Sequence, residues 1–233
     1  GVSHGHIHEV ISKAHRGDFT VVGVWEANDS LRAATHLHDK VDGALFYADL
    51  DRMLDQTQPE AVVAFGPVYD HLQVVEACAP RGIHVMVEKP LAVSVEHAHR
   101  IADLARRSGR RLMVRLVKGA YWDSEIKRAQ VDGQSDYPVY TRKPHTDVSY
   151  LACARKLLAA PDAIYPQFAT HNAHSVAAIV QMAGPESWAP GQYEFQCLHG
   201  MGEPLYEQVV GAITAGKLGR PCRIYAPVGT HET

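Results

Sequence analysis

The sequence is poor in cysteine and has no long apolar run. Its four cysteines are widely separated and form no C-x-x-C pair, so we expect reduced thiols, with Cys153 and Cys197 buried on apolar segments. No apolar run approaches the roughly 18 residues that a membrane-spanning helix needs. The opening residues lack the basic and apolar regions of a secretory signal. We therefore expect a cytoplasmic protein without a membrane span.

The sequence also lacks a strong net charge. Its 23 basic and 26 acidic residues leave a formal charge of −3, which argues against a protein that binds nucleic acid through a bulk positive field. The 233 residues are enough for one large core or two smaller ones. Histidine is the exception in an ordinary composition, with 15 copies.

Apolar runs alternate with amphipathic segments along most of the chain. We predict strands at residues 19–25, 44–47, 61–65, 84–87, 111–117, 164–169, 193–198 and 223–226. We predict helices at residues 94–108, 148–160, 174–183 and 203–216, and a surface loop at residues 131–143. Several strands are apolar at consecutive positions, as strands covered on both faces are. The alternation predicts an α/β fold with parallel strands.

Two features of the first half suggest a nucleotide-binding domain. Residues 1–6 read Gly-Val-Ser-His-Gly-His and lie where a phosphate-binding turn would lie. About twenty residues later, a predicted strand ends beside Glu26, which is well placed to hydrogen-bond a ribose diol. An ordinary strand end explains Glu26 equally well, and the spacing alone leaves both interpretations open.

The Glu88-Lys89-Pro90 motif follows an apolar strand and precedes a helix. Together with residues 65–67 and 82–92, it resembles the dinucleotide domain of the glucose–fructose oxidoreductase/inositol dehydrogenase family, over roughly residues 1–110. The resemblance implies a Rossmann-like lobe in which Glu26 contacts the adenosine ribose of NAD(P). It also implies that Lys89 lies near the nicotinamide and contacts the substrate.

The first half departs from that family at the cofactor turn. The first strand of the family is missing, and Ser3 and His6 stand where glycine is usual. A side chain at Ser3 would crowd the approach of a pyrophosphate to the backbone. The sequence therefore does not favour NAD(P) binding.

The second half carries a different set of motifs. They lie at residues 115–122, 140–143, 169–174, 195–203 and 223–229. They resemble the proline dehydrogenase domain of bifunctional proline-utilisation flavoenzymes, nearly without interruption over residues 112–233. The resemblance implies the latter half of a distorted (βα)8 barrel and hydride transfer from L-proline to FAD. The first four barrel strands and the arginine-bearing final helix have no counterpart here, so we expect a partial FAD site.

The same resemblance assigns roles to individual residues. It implies catalytic roles for Arg115, through a hydrogen bond to the reactive flavin nitrogen, and for Tyr225. Tyr225 would line the proline pocket together with Tyr121 and Leu198. The implied FAD contacts are Arg115, Val117, Gly119, Trp122, Thr141, Lys143, Thr170, His171 and Gln196. His171 precedes a predicted helix, whose free N–H groups suit a phosphate.

The chain therefore resembles two families joined near residues 110–115. We predict an incomplete Rossmann-like lobe at residues 1–110 and a half-barrel lobe at residues 111–233, with a hybrid eight-stranded barrel as the alternative. Unpaired strand edges would favour self-association. The leading function is that of a partial FAD-dependent proline dehydrogenase, with or without turnover. The alternatives are an NAD(P)-dependent sugar or polyol dehydrogenase and a non-catalytic chimeric scaffold.

Histidines alternate at two places in the first half. They are His4, His6 and His8, followed by His36 and His38. No cysteine stands at a distance that would complete a zinc-binding motif. We therefore predict no metal site.

Overall fold

The computed structural model describes residues 1–7, 11, 17–34, 36–41 and 45–226. The chain divides into two compact units, Gly1–Arg110 and Arg111–Thr233. Three expectations lie wholly or partly outside the described residues. They concern His8, residue 44 of the second predicted strand, and the end of the motif at residues 223–229; of His36 and His38 only the backbone is described.

Each of the eight predicted strands is present. They are β1 (Val24–Trp25), β2 (Phe46–Tyr47), β3 (Ala61–Ala64), β4 (His84–Val87), β5 (Leu112–Leu116), β6 (Ile164–Ala169), β7 (Glu194–Leu198) and β8 (Cys222–Tyr225). Every pairing between these described strands is parallel. The predicted parallel α/β fold is confirmed.

The helices of the described ranges lie mostly between these strands. They are α1 (Asp29–Ala34), α2 (Leu50–Thr57), α3 (His71–Cys78), α4 (Val95–Arg107), α5 (Trp122–Val131), α6 (Lys143–Leu158), α7 (Ala173–Ala183) and α8 (Glu203–Val209). Helix α4 begins as predicted, because the Ser94 side chain accepts the His97 N–H at 3.1 Å. Among these helices, none has the length and apolarity needed to cross a membrane.

Two helices differ from the prediction at their ends. Helix α6 begins five residues early, at Lys143, because the proline that follows suits the first turn of a helix. Helix α8 ends at Val209, since the backbone at Val210 is extended and Gly211 takes a positive φ of 114°. The predicted end at Gly216 instead closes a short 3-10 turn.

In the described part of the first unit there are two separate strand pairs, β1–β2 and β3–β4. Buried side chains of Trp25, Leu54, Val74 and Cys78 form one of its cores. Residues 21–25 and 61–65 line a largely apolar cavity of about 170 Å³. The cavity therefore lies between the two strand pairs. No described strand of one pair is hydrogen-bonded to a strand of the other.

The second unit contains one four-stranded sheet in the order β5-β6-β7-β8. Neighbours in sequence are neighbours in space, because helices α6, α7 and α8 each connect one parallel strand to the next. Phe168, Tyr193 and Phe195 are fully buried, with ring centroids 5.6 to 6.3 Å apart. The described strands close no barrel, so the alternative of a hybrid eight-stranded barrel is wrong.

The cysteines are free, as predicted. Cys197 is buried, but Cys153 is exposed. The predicted burial of Cys153 is wrong, because helix α6 buries Tyr150 and Ala154 and leaves Cys153 exposed.

Candidate functional site

A cavity of about 760 Å³ lies at the carboxyl ends of strands β5, β6 and β8. Of the residues with predicted roles, its lining contains Val117, Gly119, Trp122, Thr141, Lys143, Thr170, His171 and Tyr225. These residues come from four separate stretches of sequence. The parallel sheet brings them together, because the carboxyl ends of its strands lie at one edge.

Two lysines and one carboxylate carry the charge of this cavity. Lys118 Nζ lies 2.6 Å from Asp147 Oδ1, and Lys143 Nζ lies 2.6 Å from Asp147 Oδ2. Hydrogen bonds from Lys118 and Lys143 lower the pKa of Asp147 to about 2. Two ammonium groups share one carboxylate, which leaves a net positive charge at the cavity wall.

Lys118 and Asp147 were not among the predicted site residues. Lys118 also donates to Ser175 Oγ at 2.9 Å and lies 4.9 Å from the centre of the Tyr150 ring. The sequence contained a signal for Asp147, since it stands four residues after Lys143 on one helix. For Lys118 the only signal was its place between Val117 and Gly119.

His171 has a fixed orientation. Its Nε2 accepts the backbone N–H of Leu198 at 3.0 Å, so its proton is assigned to Nδ1. The next residue, Asn172, caps helix α7 by accepting the Ser175 N–H at 2.9 Å. The predicted helix start beside His171 is thus present. Leu198 itself does not line the cavity.

Arg115 and Tyr225 lie together at the sheet edge. The guanidinium carbon of Arg115 is 5.1 Å from the centre of the Tyr225 ring, a cation–π contact. Tyr225 lines the cavity, whereas Arg115 does not. Tyr121 is also outside the lining, with 80% of its surface exposed and a positive φ of 60°.

Gln196 belongs to a buried polar network beside the cavity. Its amide nitrogen donates to Glu194 at 2.9 Å, and Gln167 donates to the same oxygen at 2.8 Å. Arg223 adds two bonds, at 2.7 and 3.0 Å. Burial raises the pKa of Glu194, but the bonds from Arg223, Gln196 and Gln167 outweigh it and hold that pKa at about 2. The network links strands β6, β7 and β8.

The remaining predicted residues, Glu26 and Lys89, belong to the first unit. Glu26 is 6% exposed, and its two carboxylate oxygens accept the N–H groups of Val2 and Asn28 at 3.0 and 2.9 Å. Lys89 is exposed and follows strand β4. A ribose contact at Glu26 would therefore compete with two backbone hydrogen bonds.

Two family models match the chain. Residues 91–233 match the model for proline dehydrogenase. The chain belongs to the proline dehydrogenase family. Residues 3–116 match the model for an oxidoreductase family with an NAD-binding Rossmann fold. Both predicted resemblances are confirmed, because the chain contains a proline dehydrogenase-family region and a Rossmann-type region.

Curated relatives cover the two regions separately. The bifunctional protein PutA of Escherichia coli (strain K12) is 77% identical over 133 residues, which are 57% of this chain and 10% of that protein. D-glucoside 3-dehydrogenase of the same organism is 30% identical over 129 residues, which are 53% of this chain and 36% of that protein. The matched residues thus span about a tenth of the length of PutA.

Solved structures of proline utilization A (PutA) share the fold. A mutant from Bradyrhizobium japonicum gives a TM-score of 0.54 at 35% identity, covering 95% of this chain and 24% of that one. A structure of PutA with proline bound in remote sites gives 0.51 at 36% identity, covering 72% and 22%. Both support the parallel α/β assignment.

Proposed function

We propose that residues 111–233 form part of an FAD-binding proline dehydrogenase site. The observation that best supports this proposal is the cavity of about 760 Å³. Its lining contains most of the residues that the resemblance assigned to FAD. The residues that the resemblance assigned to FAD are far apart in sequence, yet they converge on this one cavity. The match of residues 91–233 to the proline dehydrogenase family supplies the substrate class, L-proline.

The residues present fit such a cofactor in size and in charge. The cavity volume lies within the range of about 300 to 1,000 Å³ that is usual for ligand sites. Lys118 and Lys143 supply the positive charge that a pyrophosphate needs. The Trp122 indole N–H donates to the Tyr140 carbonyl at 2.8 Å and fixes the loop that carries Thr141.

The proposed roles follow from these positions. Lys143 would hold a phosphate, and His171 would keep the β6 and β7 ends together beside it. Arg115, which contacts the ring of the cavity residue Tyr225, would supply a hydrogen-bond donor beside that residue. Bound FAD would supply the acceptor of two electrons. The hydride would leave the proline carbon next to the ring nitrogen, the nitrogen proton would pass to solvent, and a C=N bond would form.

The test is a titration of the purified chain with FAD, followed by the visible absorption and fluorescence of the flavin. Lys143→Met removes one charged hydrogen bond, so we expect affinity to fall about tenfold. Lys156→Met is the matched control, because Lys156 is exposed in the last turn of the same helix. Equal affinity of both variants and the parent chain would overturn the placement of FAD in this cavity.

An NAD(P)-dependent sugar or polyol dehydrogenase is the second candidate. The match of residues 3–116 to an NAD-binding Rossmann family supports it. In this case NADH would quench the fluorescence of Trp25, whereas FAD would not. Binding of neither cofactor, together with a cooperative thermal transition, would favour the third candidate, a non-catalytic chimeric scaffold.

We also propose that the chain self-associates through its strand edges. Strands β5 and β8 are the two edges of the four-stranded sheet. Each carries an exposed apolar side chain, Met113 at 60% and Ile224 at 64% exposure. Unpaired apolar edges favour strand-to-strand association. Light scattering should show a mass above 25.6 kDa that falls in Met113→Lys or Ile224→Lys; an unchanged mass in both would refute it.

A further inference from the structure

Three metal-ligating side chains meet in the first unit, outside the cavity described above. They are His4, His6 and Glu88, whose ligand atoms all lie within 4.8 Å of one another. His6 Nδ1 is hydrogen-bonded to Glu88 Oε1, and His4 Nδ1 lies 3.7 Å from the same oxygen. Two imidazoles thus face one carboxylate oxygen.

The backbone beneath this cluster is anchored to one strand pair. The His4 N–H donates to the Phe65 carbonyl at 2.9 Å, just beyond the end of strand β3. The Glu88 N–H donates to the Ala64 carbonyl at 3.3 Å, which holds the end of strand β4 against β3. The ligands therefore lie at the carboxyl ends of two parallel strands, the usual place for sites in α/β sheets.

The carboxylate is also oriented by a bond of its own. Glu88 Oε2 accepts the Lys89 N–H at 3.0 Å, which leaves Oε1 toward the two histidines. The Glu88 side chain is only 11% exposed. Outer-shell bonds of this kind fix the direction of a metal-ligating carboxylate.

The spacing of the ligand atoms suits a small divalent ion. A tetrahedral ion with bonds of about 2.1 Å keeps its ligand atoms about 3.4 Å apart. The 3.7 Å between His4 Nδ1 and Glu88 Oε1 is close to that value. His6 is nearer to Glu88 than an ion would allow, and its ring centroid lies 4.5 Å from that of His4. Because the His6 side chain is 53% exposed, a rotation toward solvent would lengthen its contact with Glu88.

We propose that His4, His6 and Glu88 bind a divalent transition-metal ion of the zinc type. Two imidazoles and one carboxylate are ligands that zinc accepts in proteins. Three protein ligands leave at least one coordination position open. That arrangement is typical of sites that bind an exchangeable water or small ligand, whereas structural zinc sites are closed by four protein ligands.

The histidines alone did not predict a metal site, because no cysteine stands near them at a zinc-binding distance. The third ligand is instead a glutamate 82 residues beyond His6. Only the pairing of β3 with β4, and the hydrogen bond from His4 to Phe65, bring Glu88 to the histidines. The alternation of His4 and His6 is the part of the proposed site that the sequence does show.

The test is a titration of the chelator-treated full chain with Co²⁺, followed by visible absorption, and then displacement by Zn²⁺. We expect one equivalent to bind with the intense bands of a four- or five-coordinate ion. His6→Ala and Glu88→Gln should each weaken binding at least tenfold. Since the His6 ring is half exposed, His6→Ala removes a ligand without opening a core cavity, and unchanged thermal transitions will establish that it folds.

His99→Ala is the matched control, because His99 is an exposed histidine of the same unit on helix α4. It should bind the ion with the affinity of the parent chain. Unchanged affinity in both His6→Ala and Glu88→Gln would place the ion at other histidines and overturn the proposal. The weak bands of a six-coordinate aqueous ion in the parent chain would overturn it as well.

Discussion

The buried Glu194 network gives a prediction whose pH dependence can be worked out in sign and size. The carboxylate accepts hydrogen bonds from Gln167, Gln196 and Arg223, and these bonds hold it in its ionised form. Glu194→Gln keeps the shape of the side chain but removes the charge. We expect the variant to be less stable than the parent chain at neutral pH.

The pKa of Glu194 gives the size of the effect. It falls from an ordinary 4.5 to about 2 in the folded protein, and each unit corresponds to about 1.4 kcal/mol. The upper limit is therefore about 3 kcal/mol. The Arg223 side chain is 57% exposed, so solvent screening reduces the expected contribution to about 2 kcal/mol.

The sign follows from the direction of the shift. Because the folded-state pKa is lowered, the stabilisation is fully present above the unfolded value and is lost as pH falls toward 2. Urea unfolding followed by circular dichroism should show a gap of about 2 kcal/mol between parent and Glu194→Gln at neutral pH. The gap should close steadily below roughly pH 4.5.

The matched control is Glu207→Gln, an exposed glutamate of the same unit on helix α8. Its stability should stay within about 0.5 kcal/mol of the parent chain at every pH. A gap for Glu194→Gln that does not change between neutral and acidic pH would refute the reasoning. The loss would then come from altered packing, with no contribution from the charge.

Three other substitutions test single contacts by the same unfolding assay. Phe168→Ala removes a fully buried ring and should cost about 3 to 5 kcal/mol; a loss below about 1 kcal/mol would contradict its place in the core. Tyr206→Phe removes the hydroxyl that donates to the Thr170 and Gln196 carbonyls at 2.5 and 3.2 Å, and should cost about 1 to 2 kcal/mol. Ser94→Ala removes the cap of α4 and should cost about 1 kcal/mol, whereas Ser94→Asp should restore it.

The fold could be predicted from the sequence because its signals are local. Apolar runs of four to seven residues predict strands, and Ser94 specifies the start of a helix through its own side chain. The expected cover on both faces holds for β6 and β7, whereas β3, β4 and β5 have exposed positions along one face. The end of α8 was missed because it depends on the extended backbone at Val210, which no residue type in that stretch requires. The exposure of Cys153 was missed because the direction of a helix face is set by what packs against it.

The candidate site was predictable only in part, and for a physical reason. The resemblance identified residues one at a time, and the parallel order of β5 to β8 then placed most of them around one cavity. Gln196 departs from this pattern, because the charge of Glu194 holds its amide nitrogen. The Gln196 amide can donate to Glu194 or to a bound flavin, and a sequence motif does not show which of these two acceptors it takes.

Charge also limits what the cavity can bind. Asp147 neutralises one of the two positive charges at the wall. A ligand with several negative charges would therefore bind most strongly if it displaced the Asp147 carboxylate from Lys143. Lys118 is held more firmly than Lys143, since its side chain is 13% exposed and also bonds Ser175. The exposed Lys143 can turn to a ligand while Lys118 keeps Asp147 ionised. We therefore expect the two lysines to have different roles, with Lys143 binding the proposed ligand and Lys118 maintaining the cavity wall.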